Sequence, residues 1–258
     1  MKSTDQDLFE DASGRSRQLR GMAIASGAPR LAEMAARMGF DTVWIEMEHG
    51  QVDFSQVELL CMAVEAGGGV PTVRVPDGQR HHVLRALEVG ARIVVVPMIN
   101  GVSEAKRIVN HGKFPPLGSR GFNLRSRGLG YGLNGREASF AAANTQTHLF
   151  AQIETTSAVE SVSEICAVEG LSGILIGPGD LSSSMGRPGD FAAPELIHAV
   201  STAIRSARSA GKHAGIFVGP GPMLDAAIAA GCDLMFLSSD LSGLVDAWSK
   251  LLAATKTS

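Results

Sequence analysis

Short apolar runs alternate with amphipathic stretches along the chain from residue 19 onwards. Eight runs have the length and composition of strands: "LRGMAIA", "DTVWIEM", "VPTVRVP", "RIVVVPM", "HLFAQIE", "SGILIGP", "HAGIFVG" and "DLMFLSS". The stretches between them carry apolar residues at helical spacing, and most end at a glycine, as helix C-termini often do. This order predicts repeated β-α units and a parallel sheet.

The strand count favours a closed sheet over an open one. Eight β-α units are the number that forms a (β/α)8 barrel, the TIM barrel. A GxGxxG motif does not follow the first strand, which disfavours a dinucleotide-binding sheet. We therefore predict an α/β protein with one barrel domain over residues 19–258, preceded by a polar extension over residues 1–18.

The composition of the chain disfavours several classes of binding partner. The 258 residues carry a net charge of −3 and only 5% aromatic residues, which gives neither the basic surface nor the stacking platforms of a nucleic-acid-binding protein. The three cysteines are scattered singly, which disfavours a zinc site or a disulfide framework. The polar start lacks an apolar signal core, and no apolar run approaches the ~20 residues of a membrane span. We expect a cytoplasmic protein with no membrane partner.

Polar residues at the C-terminal ends of the predicted strands are the candidates for chemistry, because barrel enzymes build their active sites there. They follow strands two, three, five and six: Glu46, Glu48, His49, Arg74, Gln152, Glu154 and Asp180. Structural alternatives exist, since Arg74 could tie neighbouring strands and Glu154 or Asp180 could cap the next helix. Burying several charged groups of both signs at one barrel mouth nevertheless costs free energy, which favours a functional role over a purely structural one.

The residue types indicate a reaction class. Two carboxylates from adjacent strands suit a hard divalent cation such as Mg²⁺ or Mn²⁺ with positions left open. Such a cation chelates a 2-oxo acid and stabilises its enolate, and an arginine shares the charge. His49 is the group able to move a proton near neutral pH. None of the six lysines lies at a strand's C-terminal end, which disfavours a Schiff-base aldolase, although Lys113 in a loop stays open.

One long irregular segment, residues 111–139, lies between the fourth helix and the fifth strand. Segments of this length in compact domains tend to be functional or interfacial. Its arginines Arg120, Arg125 and Arg127 suit either an acidic acceptor or phosphate or a subunit contact, and the sequence leaves these readings open.

Six motifs resemble the HpcH/HpaI-type class II pyruvate aldolases: "GFDTVWIEMEHG", "VRVP", "ALEVGARIVVVPMI", "FPPLGSRGF", "AQIETTSAV" and "GILIGPGDLSSSMG". The resemblance covers about residue 19 to the C-terminal helix. It implies a metal-dependent aldolase that reversibly cleaves a 4-hydroxy-2-oxo acid, such as a 2-keto-3-deoxy sugar acid, to an aldehyde and pyruvate or a close 2-oxo acid. Competing readings are a decarboxylase, an acyl-CoA lyase, and a catalytically weak barrel that binds a 2-oxo acid.

The same resemblance implies roles for the residues that bind the metal and the substrate. Glu154 and Asp180 resemble the ligands of a divalent cation, which is Mg²⁺, Mn²⁺ or another ion such as Co²⁺. Gln152 would lie beside the metal, and the backbone of Gly179 and Asp180 would hold the pyruvate carboxylate. Arg74 would bind the keto oxygen of pyruvate.

Proton handling and assembly are also implied by the resemblance. His49 resembles the acid–base histidine that works through a metal-bound water, and Glu46 stands where many relatives have the aspartate that orients this histidine. Arg74 resembles the arginine that stabilises the enolate. Family members typically form hexamers built as trimers of dimers, with the C-terminal helix packed on a neighbouring subunit.

Overall fold

The computed structural model describes residues 8–11 and 13–255. Eight parallel strands close into a barrel in chain order. The strands are β1 Leu19–Ile24, β2 Thr42–Glu46, β3 Val70–Arg74, β4 Ile93–Val96, β5 His148–Ile153, β6 Gly173–Ile176, β7 His213–Phe217 and β8 Leu234–Ser239. All eight predicted strands are present, so the (β/α)8 prediction is confirmed.

Helices follow every strand and surround the barrel. They are α1 Pro29–Arg37, α2 Phe54–Ala66, α3 Arg80–Glu88, α4 Val102–Gly112, α5 Arg136–Gln146, α6 Thr156–Glu160, α7 Val162–Cys166, α8 Pro178–Ser184, α9 Pro194–Ser209, α10 Pro222–Ala229 and α11 Asp240–Ala254, with a 3-10 helix at Arg127–Gly132. Within residues 13–255, no helix is both long and apolar enough to cross a bilayer.

Two sets of apolar side chains hold the fold. Those on the outer faces of the strands, such as Val43, Val73 and Ile174, form one large core with the helices. Those on the inner faces fill the barrel and include the aromatic side chains of Trp44, Phe150 and Phe236. The strands are buried on both faces, which is why each one is nearly continuously apolar in the sequence.

The described part of the N-terminal extension packs against the barrel. Phe9 is 2% exposed, and its ring stacks on His213 with ring centroids 3.7 Å apart. His213 begins β7, so Phe9 lies at the N-terminal end of the barrel, opposite the mouth. Residues 1–7 of the predicted extension lie outside the described residues.

Two arginines of the long segment, Arg120 and Arg127, lie away from the barrel mouth. Arg127 pairs with Glu65 at the end of α2 and donates to the carbonyl of Val89, both near the N-terminal ends of the strands. The guanidinium of Arg120 is buried over the ring of Phe114, 4.8 Å from its centroid. These two arginines therefore do not reach the active site of their own chain.

Candidate active site

Glu46 ends β2 inside the barrel mouth and is 5% exposed. Its Oε1 accepts hydrogen bonds from the backbone N–H groups of Glu48 (2.6 Å) and His49 (3.1 Å). Its Oε2 accepts the indole N–H of Trp44 at 2.9 Å. The loop after β2 folds closely back on this residue, since a Cβ at Gly50 would lie 2.2 Å from the Glu46 carbonyl oxygen. The carboxylate is thus fixed by both the strand and the loop.

Arg74 lies directly beside Glu46, because the two residues are register partners on β3 and β2. Its Nε and one terminal nitrogen donate to Glu46 Oε2 at 2.9 and 2.5 Å. Its other terminal nitrogen lies 2.9 Å from Glu48 Oε2. Arg74 therefore does join β3 to β2, as the structural alternative predicts. A guanidinium has five N–H groups, however, and the hydrogen bonds to Glu46 use two of them.

Glu154 follows β5 and is 2% exposed. Its Oε1 accepts the side-chain amide of Gln152 at 2.6 Å, and its Oε2 accepts the backbone N–H of Met98 at 2.9 Å. Met98 has φ 54°, a left-handed conformation that is uncommon for a residue other than glycine. Glu154 does not cap α6, because Thr155 is the N-cap and its hydroxyl accepts from the Ala158 N–H.

Asp180 lies in the first turn of α8, which begins where β6 reaches the mouth. Pro178 suits this start, since its fixed φ fits the first helical position and its missing N–H needs no partner there. Gly177 is the N-cap and makes no side-chain bond, and Asp180 is the acidic residue of the first turn, the position that its structural alternative requires. The first-turn N–H groups of Gly179 and Asp180 have no partner within the helix and can bind an anion.

His49 lies on the exposed loop after β2. Among the described residues its ring has no hydrogen-bond partner, and Glu46 contacts its backbone rather than its imidazole. Glu46 was predicted to orient the His49 ring. The structure instead joins Glu46 to Arg74 through the side chains and to His49 through the main chain.

The site carries an excess of negative charge. Burial, with the charges of Glu48 and Asp180, raises the pKa of Glu154 to about 7 against the opposing effects of the Met98 N–H and Arg74. Burial also raises the pKa of Glu48 above its ordinary value, more than Arg74 lowers it. Glu46 differs, because the hydrogen bonds and charge of Arg74 outweigh burial and lower its pKa. The charge of Glu46 is compensated, whereas those of the other carboxylates repel one another.

These residues fit a divalent cation. The oxygen atoms of Glu154 and Asp180 are ligands that Mg²⁺ and Mn²⁺ prefer. The side-chain oxygen of Gln152, beside Glu154, is buried without a hydrogen-bond partner. In the described part of the chain, no three His, Cys, Asp or Glu side chains form a ready cage for a metal. That arrangement suits an open site in which the protein supplies few ligands.

Several residues that shape the site were not singled out from the sequence. Trp44 and Met98 are apolar residues within apolar runs, so the sequence pattern does not distinguish them from ordinary core residues. Glu48 is itself a candidate from the sequence, but its proximity to Glu154 and Asp180 depends on how the strands converge. Gly177 carries no side chain, yet a Cβ there would lie 2.6 Å from Glu154 Oε1. Its size therefore makes room for the carboxylate.

Comparison with known proteins gives consistent matches. A family model described as HpcH/HpaI aldolase/citrate lyase matches residues 20–247. A 2-keto-3-deoxy-L-rhamnonate aldolase of Klebsiella pneumoniae is 31% identical over 92% of this chain and 88% of its own length. A hydroxypyruvate/pyruvate aldolase of Rhizorhabdus wittichii is 33% identical over 86% of this chain and 88% of its own.

A solved structure of similar shape agrees with these matches. An HpcH/HpaI aldolase/citrate lyase family protein from Burkholderia cenocepacia is 30% identical to this chain. It superposes with a TM-score of 0.86, covering 93% of this chain and 95% of its own.

Proposed function

The chain belongs to the HpcH/HpaI aldolase/citrate lyase family, and from this premise we propose that it is a metal-dependent carbon–carbon lyase, an aldolase. Its substrate is a 4-hydroxy-2-oxo acid of the 2-keto-3-deoxy sugar acid type. The products are an aldehyde and pyruvate or a close 2-oxo acid, and the reaction is reversible. The names of the two curated relatives, a 2-keto-3-deoxy-L-rhamnonate aldolase and a hydroxypyruvate/pyruvate aldolase, support this substrate class.

Glu154 and Asp180 would hold the cation, Mg²⁺ or Mn²⁺. When bound, it supplies Lewis-acid stabilisation of negative charge on the substrate oxygens. Gln152 fixes Glu154 through its amide N–H, and its side-chain oxygen is buried without a hydrogen-bond partner. The backbone N–H groups of Gly179 and Asp180 would bind the substrate carboxylate, because they lie in the first turn of α8.

Arg74 is the residue suited to the substrate's 2-oxo oxygen. Its two hydrogen bonds to Glu46 leave the remaining N–H groups for a ligand, and its contacts with both glutamates hold the guanidinium in place. A preorganised cation donates best to an oxygen whose charge grows during reaction. Arg74 would therefore bind the enolate more strongly than the ketone.

His49 would accept the proton of the 4-hydroxyl group. As that O–H bond breaks, C4 becomes the aldehyde carbonyl, the C3–C4 bond breaks, and its electron pair forms the enolate between C3 and C2. Transfer of one proton to C3 from His49, directly or through water, then gives the methyl group of pyruvate and returns His49 to its starting state. Glu46 supports this step by fixing the backbone of His49, whose N–H donates to Glu46 Oε1 at 3.1 Å.

The observation that carries the proposal is the convergence of Arg74 with the carboxylates of Glu48, Glu154 and Asp180, which come from four different strands or strand exits. The test is exchange of pyruvate methyl protons in deuterated buffer, followed by NMR with and without a chelator. We expect exchange in the Mn²⁺-loaded protein and its loss in the chelated protein. Undiminished exchange after chelation would contradict the role of the metal.

A matched pair of variants sharpens this test. Asp180→Asn removes a proposed metal ligand and should abolish exchange. Asp190→Asn changes an exposed aspartate whose ion-pair partner is Arg187 and should leave exchange intact. Turnover of oxaloacetate measured against hydroxy-oxo acids separates aldol cleavage from decarboxylation, and tight pyruvate binding without exchange would indicate a binding barrel instead.

We also propose that the protein is a homo-oligomer, a hexamer built as a trimer of dimers. Five apolar side chains of α11 are between 48% and 67% exposed: Leu241, Val245, Trp248, Leu251 and Leu252. Exposed apolar surface on one helix is typical of a subunit contact. Packing of α11 on a neighbouring subunit would cover it.

A further inference from the structure

Trp44 contacts both members of the buried ion pair at the barrel mouth. It lies on β2 two residues before Glu46, so the two side chains share the inward face of the strand. The indole N–H donates to Glu46 Oε2 at 2.9 Å. The guanidinium carbon of Arg74 lies 5.1 Å from the centroid of the Trp44 ring, within the range of a cation–π contact.

The surroundings of Trp44 hold the indole itself in place. The residue is fully buried, and its ring contacts the rings of Phe236 and Phe217, with centroid distances of 4.8 and 5.6 Å. A close-packed side chain of this size has one position available to it. The direction of its N–H is therefore set by the barrel core.

The indole supplies the uncharged donor to an oxygen that already binds Arg74 twice. Glu46 Oε2 accepts from Trp44 and from two nitrogens of Arg74, whereas Oε1 accepts only from the backbone of the loop. Trp44 thus fixes Glu46 from the interior of the barrel, and its ring supports the face of the guanidinium. Loss of either contact would let Arg74 turn.

We propose that Trp44 is a positioning residue of the active site. It sets the orientation of Arg74, and so the direction of the N–H groups that Glu46 leaves free for the substrate's 2-oxo oxygen. This inference rests on the proposed function, in which Arg74 stabilises the enolate. It predicts that the indole N–H affects binding of an enolate-like ligand without affecting binding of the metal.

The test uses oxalate, a planar dianion that resembles the enolate of pyruvate, with the Mn²⁺-loaded protein. Trp44→Phe keeps an aromatic ring and removes the N–H, and Trp44→Leu removes both. We expect oxalate affinity to fall at least tenfold in Trp44→Phe and further in Trp44→Leu. Mn²⁺ affinity without oxalate should change less than twofold. Trp248→Phe, on the exposed face of α11, is the control and should leave both affinities unchanged.

Tryptophan fluorescence gives a second measurement that does not require a substitution in the barrel core. The chain has two tryptophans, so Trp248→Phe leaves Trp44 as the sole indole. Saturating oxalate should change the emission of Trp44 in this variant, because the ligand binds the guanidinium that lies over its ring. This measurement decides the question if Trp44→Phe does not fold.

Two results would overturn the proposal. One is a folded Trp44→Phe protein whose oxalate affinity and pyruvate proton exchange are within twofold of wild type. The other is an unchanged Trp44 emission at saturating oxalate. A wild-type protein that binds neither oxalate nor pyruvate would contradict the proposed function instead, so the two failures are distinguishable.

Discussion

Gly177→Ala is expected to weaken metal binding without disturbing the fold. The backbone at Gly177 has φ −101° and ψ 87°, which alanine can adopt. The new Cβ, however, would lie 2.6 Å from Glu154 Oε1, 2.8 Å from Glu154 Cγ and 2.9 Å from Gln152 Nε2. Ordinary contact begins at 3.4 Å, so the Glu154 carboxylate has to move by most of an ångström.

The expected loss of metal affinity follows from the hydrogen bonds that Glu154 would lose. A move of this size breaks its hydrogen bonds with Gln152 and Met98, which hold the proposed metal ligand. Changes to groups that orient a metal ligand typically cost about 10–100-fold in affinity. That range corresponds to about 1.4–2.8 kcal/mol. We expect the Kd for Mn²⁺ to rise by this factor.

The assay is Mn²⁺ titration followed by electron paramagnetic resonance, together with the thermal unfolding midpoint. Gly179→Ala is the matched control, because it lies two residues further on and a Cβ there would meet nothing within 4 Å. It should bind Mn²⁺ like wild type. A folded Gly177→Ala protein with wild-type Mn²⁺ affinity would refute the assignment of Glu154 as a metal ligand.

Three further predictions test other parts of the molecule. Arg74→Lys should lower pyruvate proton exchange at least a hundredfold by NMR, since one ammonium group cannot reproduce the contacts of the guanidinium with both Glu46 and Glu48; near-wild-type exchange would show that charge alone suffices. Burial lowers the pKa of Lys113 from 10.5 to about 8, so the folded protein binds fewer protons than the unfolded chain between these values. Its contribution to the free energy of unfolding should therefore rise with pH across this window, by roughly 3 kcal/mol in total. Lys113→Met should remove that rise in urea titrations from pH 7.5 to 10, and equal slopes for both proteins would contradict it. Trp248→Asp should shift the mass measured by light scattering towards smaller species, and an unchanged mass would argue against α11 as a subunit contact.

The barrel could be predicted from the sequence because each strand is buried on both faces and each helix on one. These patterns are local, and the positions of all eight strands follow from them. The rule that barrel sites lie at strand ends also selected Arg74, Glu154 and Asp180 without further information. The structure brings the charges of these three residues together.

The partners of Glu46 could not be predicted in the same way. Whether its carboxylate meets the ring of His49, the backbone of His49 or Arg74 depends on the path of the loop after β2 and on the register of β3. Neither is visible in the spacing of residues along one strand. Trp44 is a similar case, because an indole N–H directed at a carboxylate looks like any other apolar core position in the pattern.

The unequal charges at the barrel mouth have a consequence for the order in which ligands arrive. Glu48, Glu154 and Asp180 repel one another, and much of Arg74 is already committed to Glu46 and Glu48. A 2-oxo acid anion approaching the empty mouth therefore meets repulsion. We expect a compulsory sequence in which the cation enters first and the anion second. Because binding free energies are reciprocal, the bound anion should in turn raise the affinity of the protein for the cation.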